Sequence, residues 1–534
     1  MQESLTLREV LSVLSKSSPY AVSTERSDTS QNLLDEIKSY LYIQMPIETA
    51  VNKAISSFGA NDKKVLFLCG SSGDGKSELL TRAKIKHGKR VQFHLDATHS
   101  FDPKENAIQT LDKVFNLFET ASAPLVVGIN TGMLGNYAEA GSNKFFKNET
   151  KNYLENKENT DGITFINFED YPKFQIDEVG YTSEFAQKLL KQLTAKDDNI
   201  IRQIYDKDKL ENSDEESKRL HVNYELLSIP VVQQAVVDLL FKARLMRDQF
   251  LTARSLLDFI FTLIAGPGYL FDNLFAGGDN ELANKIIEFD PTHLRTKKID
   301  RFILANDLSL PDLDFKEFKD YLSSIGIENL SDSQSYLRLF YVLKSGSFAN
   351  NYHSSFTQDF NESLIEQYIS IFQLHRDYDD STEQRKRVRD FYNNTLRAAI
   401  RKYNNRNAPN LGKSHYLISE LNCYQLVAEL DITADTKSLT KYASKSSASF
   451  TACLKVMDKC LTIPVNINLL NLVQKIVDGY RPNKHDKNTV VLLDELLDEI
   501  ALVANHSKSL HVFKGKEQIT VKKLNDKEFE VSGM

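Results

Sequence analysis

The sequence predicts an α/β domain with a mainly parallel sheet, followed by largely α-helical domains, and three observations support this prediction. A glycine-rich loop at residues 70–77 stands between an apolar run and a stretch of helical composition. Strand-like runs then alternate with helical patterns up to about residue 180, which is typical of parallel sheets. Beyond about residue 183 the sequence becomes helix-periodic and the strand-like runs disappear.

The elements of the α/β domain follow in order. Residues 1–60 have helical patterns that lead into the first strand. The five apolar residues 65–69 are long enough for a buried strand, and residues 77–86 favour a helix. Further strand-like runs cover residues 91–95, 125–129 and 163–168, with a helical pattern at 103–119. We therefore expect the α/β domain to span residues 61–180.

The loop reads GSSGDGKS, which matches the phosphate-binding pattern G-x-x-x-x-G-K-[ST] without a mismatch. Glycines allow the backbone to turn tightly and to bring amides close to phosphate oxygens. Lys76 would reach the β- and γ-phosphates, and the Ser77 hydroxyl would bind Mg²⁺. The predicted nucleotide-binding residues are Gly70, Ser71, Ser72, Gly73, Asp74, Gly75, Lys76, Ser77 and Glu78. The fold class is therefore a P-loop NTPase core, with ATP and Mg²⁺ as expected ligands.

Hydrolysis needs a second carboxylate near Mg²⁺, and the sequence offers candidates at two strand ends. Asp96 ends the run at 91–95 and is the first choice, also as a metal ligand; Glu169 and Asp170, after the run at 163–168, are the second choice. Residues 490–495 resemble the carboxylate-ending strand of such enzymes. They continue into an amphipathic pattern with apolar residues three and four apart, so we interpret them as a helix.

Two polar residues resemble the sensor positions of AAA+ ATPases. Asn130 ends the run at 125–129, where it would contact the γ-phosphate or the attacking water; a strand-ending residue that favours a turn with Gly132 is the alternative. Arg254 lies in the helical section and resembles a lid arginine; a solvated helix arginine is the alternative. Both are catalytic candidates.

The helical part divides into three predicted segments. Residues 181–275 resemble the lid of an AAA+ or STAND-like ATPase, 276–440 form a helical domain with a basic segment at 384–402, and 441–534 hold C-terminal helices and a small β element.

The net charge of −7 means that the chain as a whole is not a polycation. The sequence shows neither a signal-peptide pattern nor an apolar run long enough for a membrane span, so we expect a cytoplasmic protein without membrane contact.

The basic segment offers candidate nucleic-acid contacts. Its predicted DNA-contacting residues are Arg385, Lys386, Arg389, Arg397 and Arg401. A solvated helix face paired with the acidic residues just upstream, at 377–383, is the alternative.

A second open question is the pattern His94-x-Asp96-x-x-His99-x-x-Asp102, whose residue types suit a metal-dependent nuclease. Short spacings of this kind are also common at strand ends without metal.

The runs LFLCGSSGDGKSELL, FHLDATHSFDP, VVGINTGMLGNY and IPVN…GYRPN occur in this order and resemble the DptF family of phosphorothioation-dependent DNA restriction proteins. The resemblance implies an ATPase-like subunit of a bacterial defence system. It would work with DptG- and DptH-type partners to restrict DNA that lacks the sulfur modification. A non-hydrolysing, nucleotide-dependent scaffold is the alternative, and a metal-dependent nuclease is the third possibility.

Overall fold

The computed structural model places the chain in two compact units, residues 1–175 with 182–361 and residues 176–181 with 362–534. The residues that it describes are 5–18, 33–59, 61–100, 104–121, 123–176, 180–247, 251–361, 363–408, 411–442, 448–504, 506–507, 509–514, 517–524 and 528–533. A four-stranded sheet lies in the first unit, and a three-stranded and a five-stranded sheet lie in the second.

The first unit begins with helices and the four-stranded sheet. Its elements are α1 (Leu7–Leu11), α2 (Leu33–Tyr40), α3 (Pro46–Ser56), β1 (Val65–Gly70), α4 (Lys76–His87), β2 (Gln92–His94), α5 (Ala107–Thr120), β3 (Leu125–Asn130), α6 (Thr131–Ala140), α7 (Lys144–Leu154) and β4 (Ile163–Asn167). The strand order is β2-β3-β1-β4, and every neighbouring pair is parallel. All four strands therefore end at the same edge of the sheet.

Strand β1 is central, and all six of its residues are buried. Because successive side chains of a strand point to opposite faces, its residues serve two cores. Phe67 packs with aromatic residues of α5 and α7, and its ring centroid lies 5.9 Å from that of Phe115. Leu66 and Leu68 pack against α3 and α4 on the other face. The sheet is thus covered by helices on both sides, as expected for a parallel sheet.

Replacing Phe115 by alanine should destabilise this sheet by about 3–5 kcal/mol, because the fully buried ring stacks on Phe146 at 4.2 Å and its removal leaves a cavity. We would measure the free energy of opening of β1 peptides by hydrogen exchange, since a chain of two units does not unfold in one transition. Leu117→Ala is the control, because Leu117 is on the same helix and 67% exposed. Equal effects of both substitutions would contradict the assigned core.

Two short strands follow β4, and each has one residue in the first unit and one in the second; the rest of the first unit is helical. The elements that follow β4 are β5 (Gln175–Ile176) and β6 (Tyr181–Thr182), then α8 (Glu184–Thr194), α9 (Ile200–Glu211), α10 (Glu215–Leu227), α11 (Pro230–Arg247), α12 (Ala253–Ala265), α13 (Leu270–Asn273), α14 (Glu281–Ile286), α15 (Lys297–Asp307), α16 (Leu313–Ser324) and α17 (Ser333–Leu343). The predicted α/β core with a largely helical remainder is confirmed at this level.

Helix α12 is anchored within this unit at its middle. The buried carboxylate of Asp258 accepts hydrogen bonds from the Lys16 backbone amide and from the Asn280 side chain, both at 2.9 Å. Because a buried carboxylate needs such partners, these bonds tie α12 to the chain before α2 and to the N-cap of α14.

The second unit mixes helices with two antiparallel sheets. Its elements are α18 (Ser363–Arg376), α19 (Thr382–Phe391), a π-helical turn (Tyr392–Leu396), α20 (Arg397–Asn404), β7 (His415–Leu421), β8 (Tyr424–Glu429), β9 (Ile432–Ala434), β10 (Phe450–Val456), β11 (Lys459–Val465), α21 (Ile467–Val477), α22 (Lys487–Ala504), β12 (Ser509–Lys514), β13 (Glu517–Lys523) and β14 (Phe529–Ser532). The strand orders are β11-β10-β9 and β14-β13-β12-β8-β7.

The expectation that residues 276–440 are helical is wrong for their last part, because β7, β8 and β9 lie there. Helix α21 begins at Ile467, after the cap residue Asn466. The residues just before the cap, up to Val465, belong to β11, an edge strand that pairs with β10. Pro464 is compatible with this position because an edge strand leaves amides outside the ladder.

Among the described residues, no single helix is long and apolar enough to cross a membrane. The helices α10 and α11 meet the length and composition limits only when taken together, across a bend of 83°.

Candidate functional site

The glycine loop joins β1 to α4 and has the backbone that its glycines permit. Gly73 and Gly75 have φ values of 85° and 100°, in the left-handed region that residues with a Cβ rarely adopt. Gly75 is the N-cap of α4 and, having no side chain, offers no capping acceptor to the first turn of that helix. The amides at this helix terminus are therefore available to an anion, which the helix dipole also favours.

Lys76 lies at the start of α4 and its ammonium turns back over the loop. The Nζ atom donates to the carbonyl oxygens of Gly70 at 3.1 Å and Ser71 at 2.7 Å. Burial lowers the pKa of Lys76, whereas the negative charges of Asp74 and Asp96 act in the opposite direction. An anion bound in the loop would compete with the two carbonyl groups for this ammonium.

Asp96 follows β2 and faces the same cavity as the loop. Its Oδ1 accepts hydrogen bonds from the Thr98 amide at 2.9 Å and the Thr98 hydroxyl at 2.6 Å. Its Oδ2 lies 3.3 Å from Nδ1 of His99. The side chain keeps 28% exposure, so an oxygen of this carboxylate is accessible to a cation in the cavity. The strand β3 lies between β2 and β1, so Asp96 is not on the strand next to the loop.

Asn130 ends β3, the strand that lies directly beside β1. Its Oδ1 accepts a hydrogen bond of 2.6 Å from the Met133 amide and so caps α6. The residue also lines the cavity. Asn130 thus combines the capping role expected of a strand-ending asparagine with a position beside the loop.

Helix α12 begins directly on the glycine loop. The backbone amide of Arg254 donates to the Gly73 carbonyl at 3.1 Å, and Thr252 caps the helix. A Cβ atom on Gly73 would lie 3.2 Å from the Arg254 Cβ and from the Thr252 hydroxyl. The close approach of α12 to the loop therefore favours glycine at position 73. Arg254 is exposed and lines the cavity.

A cavity of about 400 Å³ opens over the loop, and it is lined by polar and apolar residues. We call the polar lining residues that the sequence predicted its polar wall; they are Lys76, Ser77, Asp96, Asn130 and Arg254. We call the apolar lining residues its apolar wall; they come mainly from the segment before α3 and from the helices α8 and α12 and include Ile43, Met45, Phe185, Leu189 and Leu257. The apolar residues could not be predicted, because no local pattern in the sequence links those five positions.

Two charged residues around the loop have partners that the sequence did not reveal. Glu78 lines the cavity and is paired with Lys38 at 3.1 Å and Arg82 at 3.0 Å. Asp74, within the loop, is paired with Lys173 at 2.7 Å. Lys173 also lines the cavity and was not a candidate from the sequence.

Glu169 has a different position from Asp96. It lies in a 3₁₀ turn, Phe168–Asp170, where its amide donates to the Asn167 side chain at 3.2 Å. The residue is exposed and is not among those that line the cavity. Of the strand-end carboxylates that the sequence offered, Asp96 alone is among the residues that line the cavity.

The candidate metal cluster at 94–102 is not formed by the residues that the structure describes. His94 is buried, which lowers the pKa of its imidazole, and His99 is exposed. Asp102 lies outside the described residues. Within the described part of the chain, no group of three or more histidine, cysteine or acidic residues is arranged to hold a metal ion.

The basic segment is divided by the π-helical turn at Tyr392–Leu396. On α19, Arg385 is paired with Asp380, whereas Lys386 and Arg389 are exposed. On α20, Arg397 is half-buried and donates to the Ile432 carbonyl at 3.3 Å, and Arg401 is half-buried too. Arg385 therefore has the acidic partner that the solvated-face alternative expects, and Lys386 and Arg389 are the accessible cations.

The strand-like pattern at 490–495 that was set aside in the sequence has a structural explanation. Residues 490–495 lie within the helix α22, so the interpretation as an amphipathic helix is confirmed. Asp494 accepts a hydrogen bond of 2.9 Å from the Tyr403 hydroxyl.

No protein-family model matches this sequence, and no curated protein or solved structure matches it either.

Proposed function

We propose that this chain binds ATP with Mg²⁺ in the cavity over the glycine loop and hydrolyses it. The observation that carries the proposal is the loop itself. Two glycines with positive φ, an uncapped helix N-terminus and the Lys76 ammonium converge at the carboxyl edge of a parallel sheet. Backbone amides and a lysine in this arrangement suit the phosphates of a nucleotide, and ligands of such sheets bind at this edge.

The two walls of the cavity suit the two halves of a nucleotide. The phosphates would contact the loop amides and Lys76, while the base would lie against apolar residues such as Ile43, Met45 and Leu257. A volume of about 400 Å³ is in the range of small-molecule sites. Because the apolar wall comes partly from α12, which begins on the loop, bound ATP would contact both the sheet and the helical part of this unit.

The oxygen donors of the polar wall fit Mg²⁺. The Ser77 hydroxyl and the Asp96 carboxylate both line the cavity, and hard cations of this kind prefer oxygen ligands. Bound Mg²⁺ would neutralise negative charge on the phosphates. Asn130 and Arg254, on the same wall, would position the attacking water and the terminal phosphate.

One observation favours a second candidate, a scaffold that binds ATP without hydrolysing it. Ala97 follows Asp96, so that strand end supplies one carboxylate and no neighbouring glutamate to orient a water molecule. Glu169 is exposed and is not among the residues lining the cavity. We therefore expect slow turnover, and its complete absence would favour the scaffold.

The biological setting that we propose rests on the sequence resemblance. The chain would act in the cytoplasm as the ATP-binding subunit of a bacterial restriction system, with DptG- and DptH-type partners, against DNA that lacks phosphorothioate modification. Lys386 and Arg389 on α19 would be its DNA contacts, because they are exposed cations. Stimulation of ATP turnover by unmodified duplex DNA, reduced in a Lys386→Ala/Arg389→Ala variant, would support this setting.

ATP binding is the first test of the proposal. Calorimetric titration of the purified chain with ATP and Mg²⁺ should show one site, and ATP at 100 times its Kd should stabilise the protein by about 2.7 kcal/mol. Hydrogen exchange should locate the added protection in the loop and the first turn of α4. A titration with no heat and no added protection would contradict the proposed function.

A further inference from the structure

The glycine loop carries a carboxylate inside an anion site. Asp74 Oδ2 accepts a hydrogen bond of 2.7 Å from the Ser71 amide, so the side chain folds back on the loop. Its Oδ1 lies 2.7 Å from the Lys173 ammonium. The two side chains are only 9% and 10% exposed. A carboxylate in this position would repel phosphates if its charge were not compensated.

Lys173 comes from outside the loop and is well placed to supply that compensation. It follows the 3₁₀ turn after β4, which is the strand beside β1. Its ammonium lies 5.6 Å from the centre of the Phe168 ring, a second favourable contact for a cation. The lysine therefore has two favourable contacts, one with Asp74 and one with the aromatic ring.

We propose that Lys173 is a positioning residue that neutralises Asp74 and thereby makes the glycine loop able to accept a polyphosphate. This inference rests on the proposed function of the loop. Lys173 acts through Asp74 and does not take the place of Lys76 at the phosphates. The charge balance explains why an aspartate is compatible with this loop: the pair is neutral, and Lys76 remains the cation for the ligand.

The proposal predicts that removing the charge of Lys173 alone and removing the charges of both Lys173 and Asp74 have different effects on ATP affinity. Without Lys173, the buried carboxylate would lack a compensating charge beside the phosphates. An Asp74→Asn variant would keep the hydrogen bond from the Ser71 amide, because the oxygen of a side-chain amide can still accept it, and would carry no charge there. Removing both charges should therefore be tolerated better than removing the lysine alone.

The experiment is a double-mutant cycle on ATP affinity, measured by calorimetry with Mg²⁺. Lys173→Met should weaken ATP binding at least about tenfold, and the loss should be smaller for ADP, which has one phosphate fewer. Lys173→Met/Asp74→Asn should recover most of the affinity, and Asp74→Asn alone should tighten ATP binding, because it removes the negative charge and leaves the Lys173 ammonium. Lys64→Met is the control, because Lys64 forms a surface pair with Asp62 at 2.8 Å with both side chains well exposed.

Several results would overturn the proposal. Equal losses in Lys173→Met and in the double variant would mean that Lys173 contacts the phosphates itself. Unchanged affinity in a folded Lys173→Met variant would mean that Asp74 needs no compensation. If Lys173→Met does not fold, weakened ATP binding by Asp74→Asn would decide against the idea. If the natural protein binds no nucleotide, both the proposed function and this inference are wrong. If the natural protein binds ATP but the double-mutant cycle does not show the expected recovery, only the inference about Lys173 is wrong.

Discussion

Replacing Lys76 by alanine is expected to weaken ATP binding by at least about 100-fold, which corresponds to about 2.7 kcal/mol. The substitution removes a charge-assisted hydrogen-bond donor from the phosphates, and such bonds are worth about 1.5–3 kcal/mol each. It should not unfold the protein, because the two hydrogen bonds lost with the Lys76 ammonium are those to the carbonyl oxygens of Gly70 and Ser71.

Lys86→Ala is the matched control for this measurement. Lys86 lies on the same helix as Lys76, in its exposed last turn. Calorimetry of both variants with ATP and Mg²⁺ should show the loss in Lys76→Ala alone. Similar ATP affinities of the two variants would indicate that the phosphates do not bind at the glycine loop.

Replacing Asp96 by asparagine is expected to reduce Mg²⁺-dependent ATP turnover by at least about 100-fold, or about 2.7 kcal/mol of transition-state stabilisation. The amide keeps the shape of the side chain and its acceptor for Thr98, but it has no charge with which to hold the cation. ATP binding without Mg²⁺ should change little, since the phosphate contacts come from the loop.

Glu169→Gln is the informative comparison, because Glu169 is the other carboxylate that follows a strand of this sheet. We would measure phosphate release across a range of Mg²⁺ concentrations. A large loss of ATP turnover in Glu169→Gln with normal turnover in Asp96→Asn would assign the Mg²⁺-binding carboxylate to Glu169 and not to Asp96. If the natural protein shows no turnover, the Mg²⁺ dependence of ATP affinity serves as the readout for the same pair of variants.

The parts of the fold that were predictable are those encoded locally. Strand β1, the loop and α4 follow each other within residues 65–87, and an apolar run, glycines and helix formers each indicate one element. Asp96 and Asn130 could be proposed because residues that end parallel strands meet at one edge. The helix α22 was recognised from its apolar spacing.

The parts that were not predicted depend on contacts between distant residues. Lys173 has no motif around it, and only the fold brings it to Asp74, 99 positions earlier. The apolar wall of the cavity likewise combines α8 and α12 with the segment before α3. Strands β10 and β11 were missed because their short alternating runs adjoin a helix without a break in apolar character.

Helix α12 gives the loop a mechanical connection to the rest of its unit. The helix has 13 residues and is about 20 Å long, starting at the Gly73 carbonyl and anchored at Asp258 in its middle. A displacement of the loop backbone would therefore be transmitted along α12 to the two hydrogen bonds that Asp258 accepts. The Lys16 amide, between α1 and α2, and the Asn280 side chain, at the start of α14, are the groups through which a movement of α12 would reach other segments of this unit.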